Sequence, residues 1–329
     1  MHHTTDLFDK LAEANVLIVG DVMIDRYWHG KVNRISPEAP VPVVELQRTE
    51  DRLGGAANVA LNIKAMGATP YLFSVIGVDT EGGDFLTLMT QNDLPTVGIL
   101  SSDKRITTVK TRIMAGTQQM LRIDSEVTSA LTEGLRLDFL LKLKDFLSQQ
   151  PIDVIIFQDY NKGILTESTI QDIMAMAVAQ GIPTAVDPKR HNFLSYQKAT
   201  LFKPNLKEIR DAVPFEVKPE ITSLQEATVF LNERLQNRYT MITLSEKGLF
   251  LDDTDTEVSK IYPIQPRNIA DVSGAGDTVI SVAALCLAMG LDSRIMAQLS
   301  NLAGSQVCEV AGVVPVNRAQ LQKEWERFE

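Results

Sequence analysis

The sequence predicts an α/β fold, a mostly parallel central sheet covered by helices on both faces. Short apolar runs of strand length alternate with longer segments of helical period, the mark of repeated βαβ units. The chain has 329 residues, 44% of them hydrophobic and 22% charged. That is the composition of a soluble globular protein long enough to bury roughly three quarters of its unfolded surface. No apolar run approaches the ~18 residues of a membrane span, and the N-terminus has no signal-peptide core. A single domain over residues 1–329, cytoplasmic, is the expectation.

In chain order, strands are expected at residues 16–19, 71–75, 154–157, 184–186, 201–203 and 241–244. Helices are expected at 56–66, 83–91, 133–147, 167–179, 223–235, 277–289 and 293–310. Residues 277–289 are apolar nearly all round and predict a deeply packed helix. Two segments break the rhythm. Residues 28–49 hold Pro37, Pro40 and Pro42 among β-branched residues, which suits an edge strand or extended arm. Residues 98–123 contain an alternating run with Lys110 and Arg112 on one face and Val109, Thr111 and Ile113 on the other. Together they predict a small β subdomain inserted into the α/β body.

Charge narrows the choice of partner. The 32 basic and 42 acidic residues give −10, which speaks against nucleic acid and anionic membranes and requires any anion site to be local. Residues 98–123 meet that requirement: Lys104, Arg105, Lys110, Arg112 and Arg122 stand against Asp103 alone, a local balance of +4. Cys286 and Cys308 lie in apolar helical stretches without metal-ligand spacing and read as buried reduced thiols.

The strongest local motif is Asp271-Val-Ser-Gly-Ala-Gly-Asp277, immediately before the most apolar helix. Gly274, Ala275 and Gly276 allow successive amides to converge on an anion, and the helix that follows adds its positive end. A carboxylate beside such a cradle is repulsive unless it works as a base. Asp277 would then accept the proton of a hydroxyl attacking a phosphoryl group. An Asp capping a helix after a glycine turn is the competing reading. No GxxxxGK[ST] occurs, and the dinucleotide fingerprint is incomplete. A second motif, Gly54-Gly55-Ala-Ala-Asn58 through Gly67, allows close backbone approach of a ligand and offers an Asn58 amide to a hydroxyl, with a tight packing turn as the competing reading.

These two motifs resemble the two signatures of the ribokinase-like (PfkB-type) sugar kinases, at the family's separation and over essentially the whole chain. The resemblance implies a three-layer α/β/α sandwich with a β-sheet lid, ATP with Mg²⁺ as phosphoryl donor, and Asp277 as catalytic base. It also implies nucleotide contacts at Asn205 and Glu208, with Glu208 acting on the metal indirectly, at Ser245, Lys247 and Gly248, and at Asn301. Asn205 and Glu208 equally fit helix capping. Further segments resemble the heptose-phosphate branch, the kinase half of ADP-heptose synthases. They are 20–28, 35–43, 107–112, 118–124, Asp159-Tyr-Asn-Lys162-Gly and Val186-Asp-Pro-Lys189.

That branch implies phosphorylation of the anomeric hydroxyl of D-glycero-β-D-manno-heptose 7-phosphate, a step toward lipopolysaccharide core precursors, by a homodimer joined through its lids. Asp21, Asp25, Arg26, Gly54, Gly55, Asn58, Lys110, Arg112, Arg122, Asp159, Lys162 and Lys189 are the expected sugar-phosphate contacts. No nucleotidyltransferase HxGH motif is present, so a separate nucleotidyltransferase is expected to act downstream. A kinase for another sugar or sugar phosphate, and a non-catalytic sugar-phosphate-binding protein, are the alternatives.

Overall fold

The computed structural model describes residues 4–264 and 267–328. The chain begins with α1 (Thr4–Ala12) and β1 (Asn15–Gly20), then forms a long hairpin of β2 (Val22–Ile35) and β3 (Pro42–Gly55). It continues through α2 (Ala56–Ala65), β4 (Thr69–Gly77), α3 (Thr80–Gln91) and β5 (Ile99–Ser102) to a second hairpin, β6 (Val109–Ala115) and β7 (Gln118–Ser125). Next come α4 (Glu133–Gln149), β8 (Val154–Gln158), α5 (Glu167–Gln180), β9 (Thr184–Asp187) and β10 (Leu201–Phe202). The remainder is α6 (Leu206–Ala212), α7 (Ile221–Leu235), β11 (Tyr239–Thr243), β12 (Leu249–Asp253), β13 (Val258–Tyr262), α8 (Ala275–Ala288), α9 (Ser293–Val307) and α10 (Arg318–Phe328).

Among the described residues the strands form two sheets. The large one runs β13-β12-β11-β10-β9-β8-β1-β4-β5 and is parallel except at β11-β12-β13. Alternation along β1 feeds two cores. Val16 and Ile18 pack with α1, α2, α8, α9 and α10, while Leu17 and Val19 pack with α4, α5, α6 and α7. The result is the expected three-layer α/β sandwich, and β1 is apolar from Val16 to Val19 because both of its faces are covered. The strand order turns about β1, with β8 on one side and β4 on the other. In open parallel sheets the crevice beyond the strands' carboxyl ends at such a point is where ligands bind.

The small sheet, β3-β2-β6-β7, is antiparallel within each hairpin and parallel where β2 meets β6. Its boundaries differ from those read off the sequence. The first hairpin reaches back to Val22 and on to Gly55, and Ile99–Ser102 is an edge strand of the large sheet instead. The prolines fall at the hairpin tip and at the start of β3, the edge strand, where a missing N–H harms no ladder. Both cysteines are free; Cys286 is buried, but Cys308 is only half-buried.

Asp79 fastens the base of the small sheet to the body. It caps α3 by accepting from the Gly82 amide at 2.7 Å, and it accepts from the Thr107 amide and hydroxyl at 2.7 and 2.6 Å. An Asp79→Ala variant leaves those donors without acceptors. It is expected to lose about 2 kcal/mol of stability, read as a lower urea midpoint with unchanged slope.

Candidate active site

The carboxyl ends of consecutive strands deliver polar residues to one edge of the sheet: Asp21 after β1, Gln158 and Tyr160 at the end of β8, Asp187 on β9 and Lys203 after β10. Helix α8 begins against this edge. Gly274 adopts φ +83° as its N-cap, which a residue with a Cβ rarely does, and so turns the chain into the helix. Among the described residues the Gly276 and Asp277 amides have no acceptor, as expected of a cradle, whereas the Ala275 amide reaches the Val272 carbonyl at 3.3 Å.

Asp277 lies in the first turn of α8 and is 6% exposed. Asn58 Nδ2 on α2 donates to its Oδ2 at 2.8 Å, and Tyr160 Oη and Gln158 Nε2 donate to its Oδ1 at 2.8 and 3.1 Å. Burial and the nearby Asp187 push the Asp277 carboxyl up to about 6, against the opposing pull of Asn58, Tyr160 and Lys203. A carboxylate so placed is a base poised near neutrality. Its contacts do not cap α8, which disfavours the capping reading.

Behind Asp277 lies a chain of alternating charge. Gln158 Nε2 also donates to Asp187 Oδ2 at 3.3 Å, and Lys203 pairs with that carboxylate at 3.1 Å. Lys189 lies 3.9 Å from Asp187 and 2.7 Å from Glu208. Burial lowers the proton affinity of Lys189, but Asp187 and Glu208 outweigh it and raise its pKa. Glu208 forms a full capping box with Asn205, so both of its oxygens are engaged.

In front of Asp277 is a cavity of about 150 Å³, bounded by Met23, Asp25, Gly55, Lys110, Arg112, Tyr160, Ser273, Gly274 and Val313 together with Asp277 itself. The small sheet supplies its cationic wall. Arg112 donates to Asp25 at 2.6 Å, and Lys110 pairs with Asp124 and Glu126 at 3.1 and 3.0 Å. Gly54 is needed beside Asp25, because a Cβ there would come within 2.3 Å of Asp25 Oδ2. Arg52 and Arg112 each lie 5.2 Å from the Tyr27 ring, and Arg52 donates to the carbonyl of Val313, a residue of the cavity wall, at 3.2 Å.

Several expected sugar contacts sit elsewhere. Asp21 is 1% exposed and accepts from the Tyr160, Lys162 and Ile164 amides at 3.0, 3.0 and 3.3 Å, so it pins the loop after β8. Burial above all raises its carboxyl to about 6. Arg26 points to the opposite face of β2 from Asp25 and grips Asp51 with two bonds of 2.8 Å. Asp159 is wholly buried and holds Asn161, Asn192 and Tyr196. Arg122 is half-exposed on the edge strand β7 and pairs with Asp124, and Lys162 pairs with Glu126 at 2.7 Å. The Asn58 amide is spent on Asp277 rather than on the cavity.

Asp124 and Glu126 stand just past the residues whose balance was +4 and reduce the surplus over 98–126 to two. Farther along the sheet edge, Ser245 and Lys247 form a short 3₁₀ turn. Gly248 follows at φ +92°, and Asn301 Nδ2 donates to the Tyr262 and Pro263 carbonyls at 3.0 and 3.1 Å.

Residues 13–319 match the sequence profile described as pfkB family carbohydrate kinase. The chain belongs to the pfkB family of carbohydrate kinases. Among its relatives, the bifunctional protein HldE of Methylobacillus flagellatus is 40% identical over 310 residues, which are 94% of this chain and 62% of that protein. This pfkB-family chain thus spans about three fifths of the length of such two-part relatives. A D-beta-D-heptose 7-phosphate kinase of Bordetella bronchiseptica is 38% identical over 325 residues, 96% of this chain and 97% of that one. Escherichia coli phosphofructokinase-2 in complex with fructose-6-phosphate superposes with a TM-score of 0.76 at 18% identity, over 96% and 98% of the two chains. Arabidopsis thaliana ribokinase complexed with ribose and ATP gives 0.72 at 16% identity, over 94% and 99%. These solved structures establish the ribokinase-like fold of this pfkB-family chain.

Sequence reading missed Gln158, Tyr160, Asp187, Lys203 and Arg52. The first four are polar residues at or just beyond the end of an apolar run, which is the signal that could have found them. Because Asp277 must be charged to act as a base, turnover is expected to fall as pH drops through about 6 and to be flat above it, measured as kcat/KM against pH.

Proposed function

We propose that this chain transfers the γ-phosphoryl group of ATP to the anomeric hydroxyl of D-glycero-β-D-manno-heptose 7-phosphate, forming the 1,7-bisphosphate. The observation that carries the reading is the cavity itself, with a buried carboxylate base on one wall and Lys110 and Arg112 on the other. The name of a relative 38% identical over 96% of this chain, a D-beta-D-heptose 7-phosphate kinase, supports the choice of sugar.

In this reading the sugar lies between the small sheet, acting as a lid, and Asp277. Arg112 and Lys110 face its phosphate, and Asp25 accepts from its hydroxyls. The C1 oxygen attacks the γ-phosphorus as the bond to the bridging β,γ-oxygen breaks. The proton passes to Asp277 Oδ2, which accepts from Asn58 alone while Oδ1 already accepts from Tyr160 and Gln158, and the leaving electron pair goes to ADP. Tyr160 and Asn58 hold the carboxylate in line, and the free Gly276 and Asp277 amides receive the phosphoryl oxygens.

Magnesium fits this site only as an ion carried by phosphates. No group of three or more His, Cys, Asp or Glu side chains placed to hold a metal occurs among the described residues, so the chain would offer single carboxylates such as Asp187 or Glu208. When bound, the ion neutralises charge across the phosphates. Among the described residues no helix is long and apolar enough to cross a membrane.

ADP release with heptose 7-phosphate tests the reading, and plain heptose should be a far poorer acceptor. Asp277→Asn should lose about 10² to 10⁴ in kcat with the fold intact; a variant retaining wild-type turnover would sink the assignment of the base.

The face of the small sheet turned from the cavity carries Trp28, Ile113, Leu121 and Ile123, the last two 55% and 46% exposed. A second copy of the chain covers this face in our reading, lid to lid. Light scattering should show a dimer, and Leu121→Lys with Ile123→Lys should yield a monomer.

A further inference from the structure

Lys203 is the least expected charge in the molecule. It follows the shortest strand of the large sheet, and its side chain is 3% exposed. An ammonium has three N–H donors. Among the described residues Lys203 uses them on one partner, Asp187, at 3.1 Å. Burying a cation with donors unspent is costly unless something completes its shell.

The surroundings say what that something is. A Cβ at position 276 would lie 3.7 Å from Lys203 Nζ and 3.9 Å from Asp187 Oδ2. With glycine there, no side chain stands between the ammonium and the first turn of α8, where the Gly276 and Asp277 amides are also without acceptors. A buried cation and two free amides therefore converge on one place, next to the carboxylate base. Lys189 does not share this geometry, since it is spent on Glu208 at 2.7 Å and is 30% exposed.

Resting on the kinase reading above, we infer that Lys203 is a catalytic residue that turns from Asp187 to an oxygen of the γ-phosphate at the start of α8. It transfers no proton. While the acceptor oxygen bonds to phosphorus and the bridging bond breaks toward ADP, Lys203 neutralises one equatorial oxygen of the moving group. Asp187, freed from the ammonium, keeps the Gln158 amide that orients Asp277, so the two ends of the charge chain remain linked.

The test compares Lys203→Met and Lys203→Arg with the wild-type full chain. Calorimetric titration with MgADP and with the magnesium complex of the non-hydrolysable β,γ-imido analogue of ATP isolates the γ-phosphate and needs no sugar. Lys203→Met should bind the imido analogue about tenfold more weakly while binding ADP as the wild type does. Its kcat should fall about 10²-fold with the acceptor's KM little changed. Lys203→Arg should recover part of both.

Because Lys203→Met removes the nearer ammonium from Asp187 and leaves it only Gln158 at 3.3 Å and Lys189 at 3.9 Å, the double variant Lys203→Met/Asp187→Asn supplies a control without the stranded charge. Equal weakening of ADP and the imido analogue, or a folded double variant with wild-type affinity for the analogue, overturns the inference and leaves Lys203 a structural ion pair. If the wild type does not phosphorylate heptose 7-phosphate, the choice of acceptor fails, yet the nucleotide comparison still decides the role of Lys203.

Discussion

A carboxylate kept ready inside a protein must be surrounded by donors, and the donors around Asp277 are where the layers of this fold meet. Asn58 comes from α2 and Tyr160 and Gln158 from the end of β8, while Asp277 itself opens α8. Holding Asp277 and Asp21 ionised above pH 6 costs about 3 kcal/mol each, since each is raised from 3.8 to about 6. A carboxyl whose folded-state pKa is raised stabilises the fold below its unfolded value and loses that contribution as pH rises through 6. These two groups therefore oppose acid unfolding below about pH 6, and above it their charged forms are held against the fold's own preference.

The β-sheet makes this arrangement possible by topology more than by local sequence. Strands β1, β8, β9 and β10 all run the same way, so each ends at the same edge. The last residue of a strand, or the one or two that follow it, suffice to gather Asp21, Asp159-Tyr160, Asp187 and Lys203 into a single polar rim above two apolar cores. The small sheet adds the opposite wall from two hairpins whose tips lie far from that edge in sequence. Asp79 at its base ties it to α3 without entering the cavity.

Much of this was legible in the sequence. Contiguous signals carried well: the apolar runs became β1, β4, β8, β9, β10 and β11, and Asp271 to Asp277 did open the deepest-packed helix. Signals that depend on distant partners did not carry. Asp21 and Asp159 were expected to face the sugar phosphate, and only the folded loop at 160–164 and the Asn192-Tyr196 pair show the donors they hold. Arg26, expected beside Asp25 as a sugar-phosphate contact, is separable from it by strand alternation alone. Helix α10 went unread because Leu321 and Trp325, one turn apart, are the anchors of an otherwise polar segment. The capping reading of Asn205 and Glu208 was correct in geometry, and Lys189 at 2.7 Å gives that cap a place beside the site.

The hydrogen bond from Asn58 to Asp277 spans 219 residues of sequence. Closing so long a loop is entropically slow, and every other wall of the cavity is made earlier along the chain except Val313, which comes later still. During synthesis the N-terminal strands and α2 leave the ribosome long before the helix that must receive them. The surroundings of Asp277 are therefore expected among the last parts of this fold to be completed. Recovery of activity in refolding would report completion of the whole molecule, not the formation of any one part.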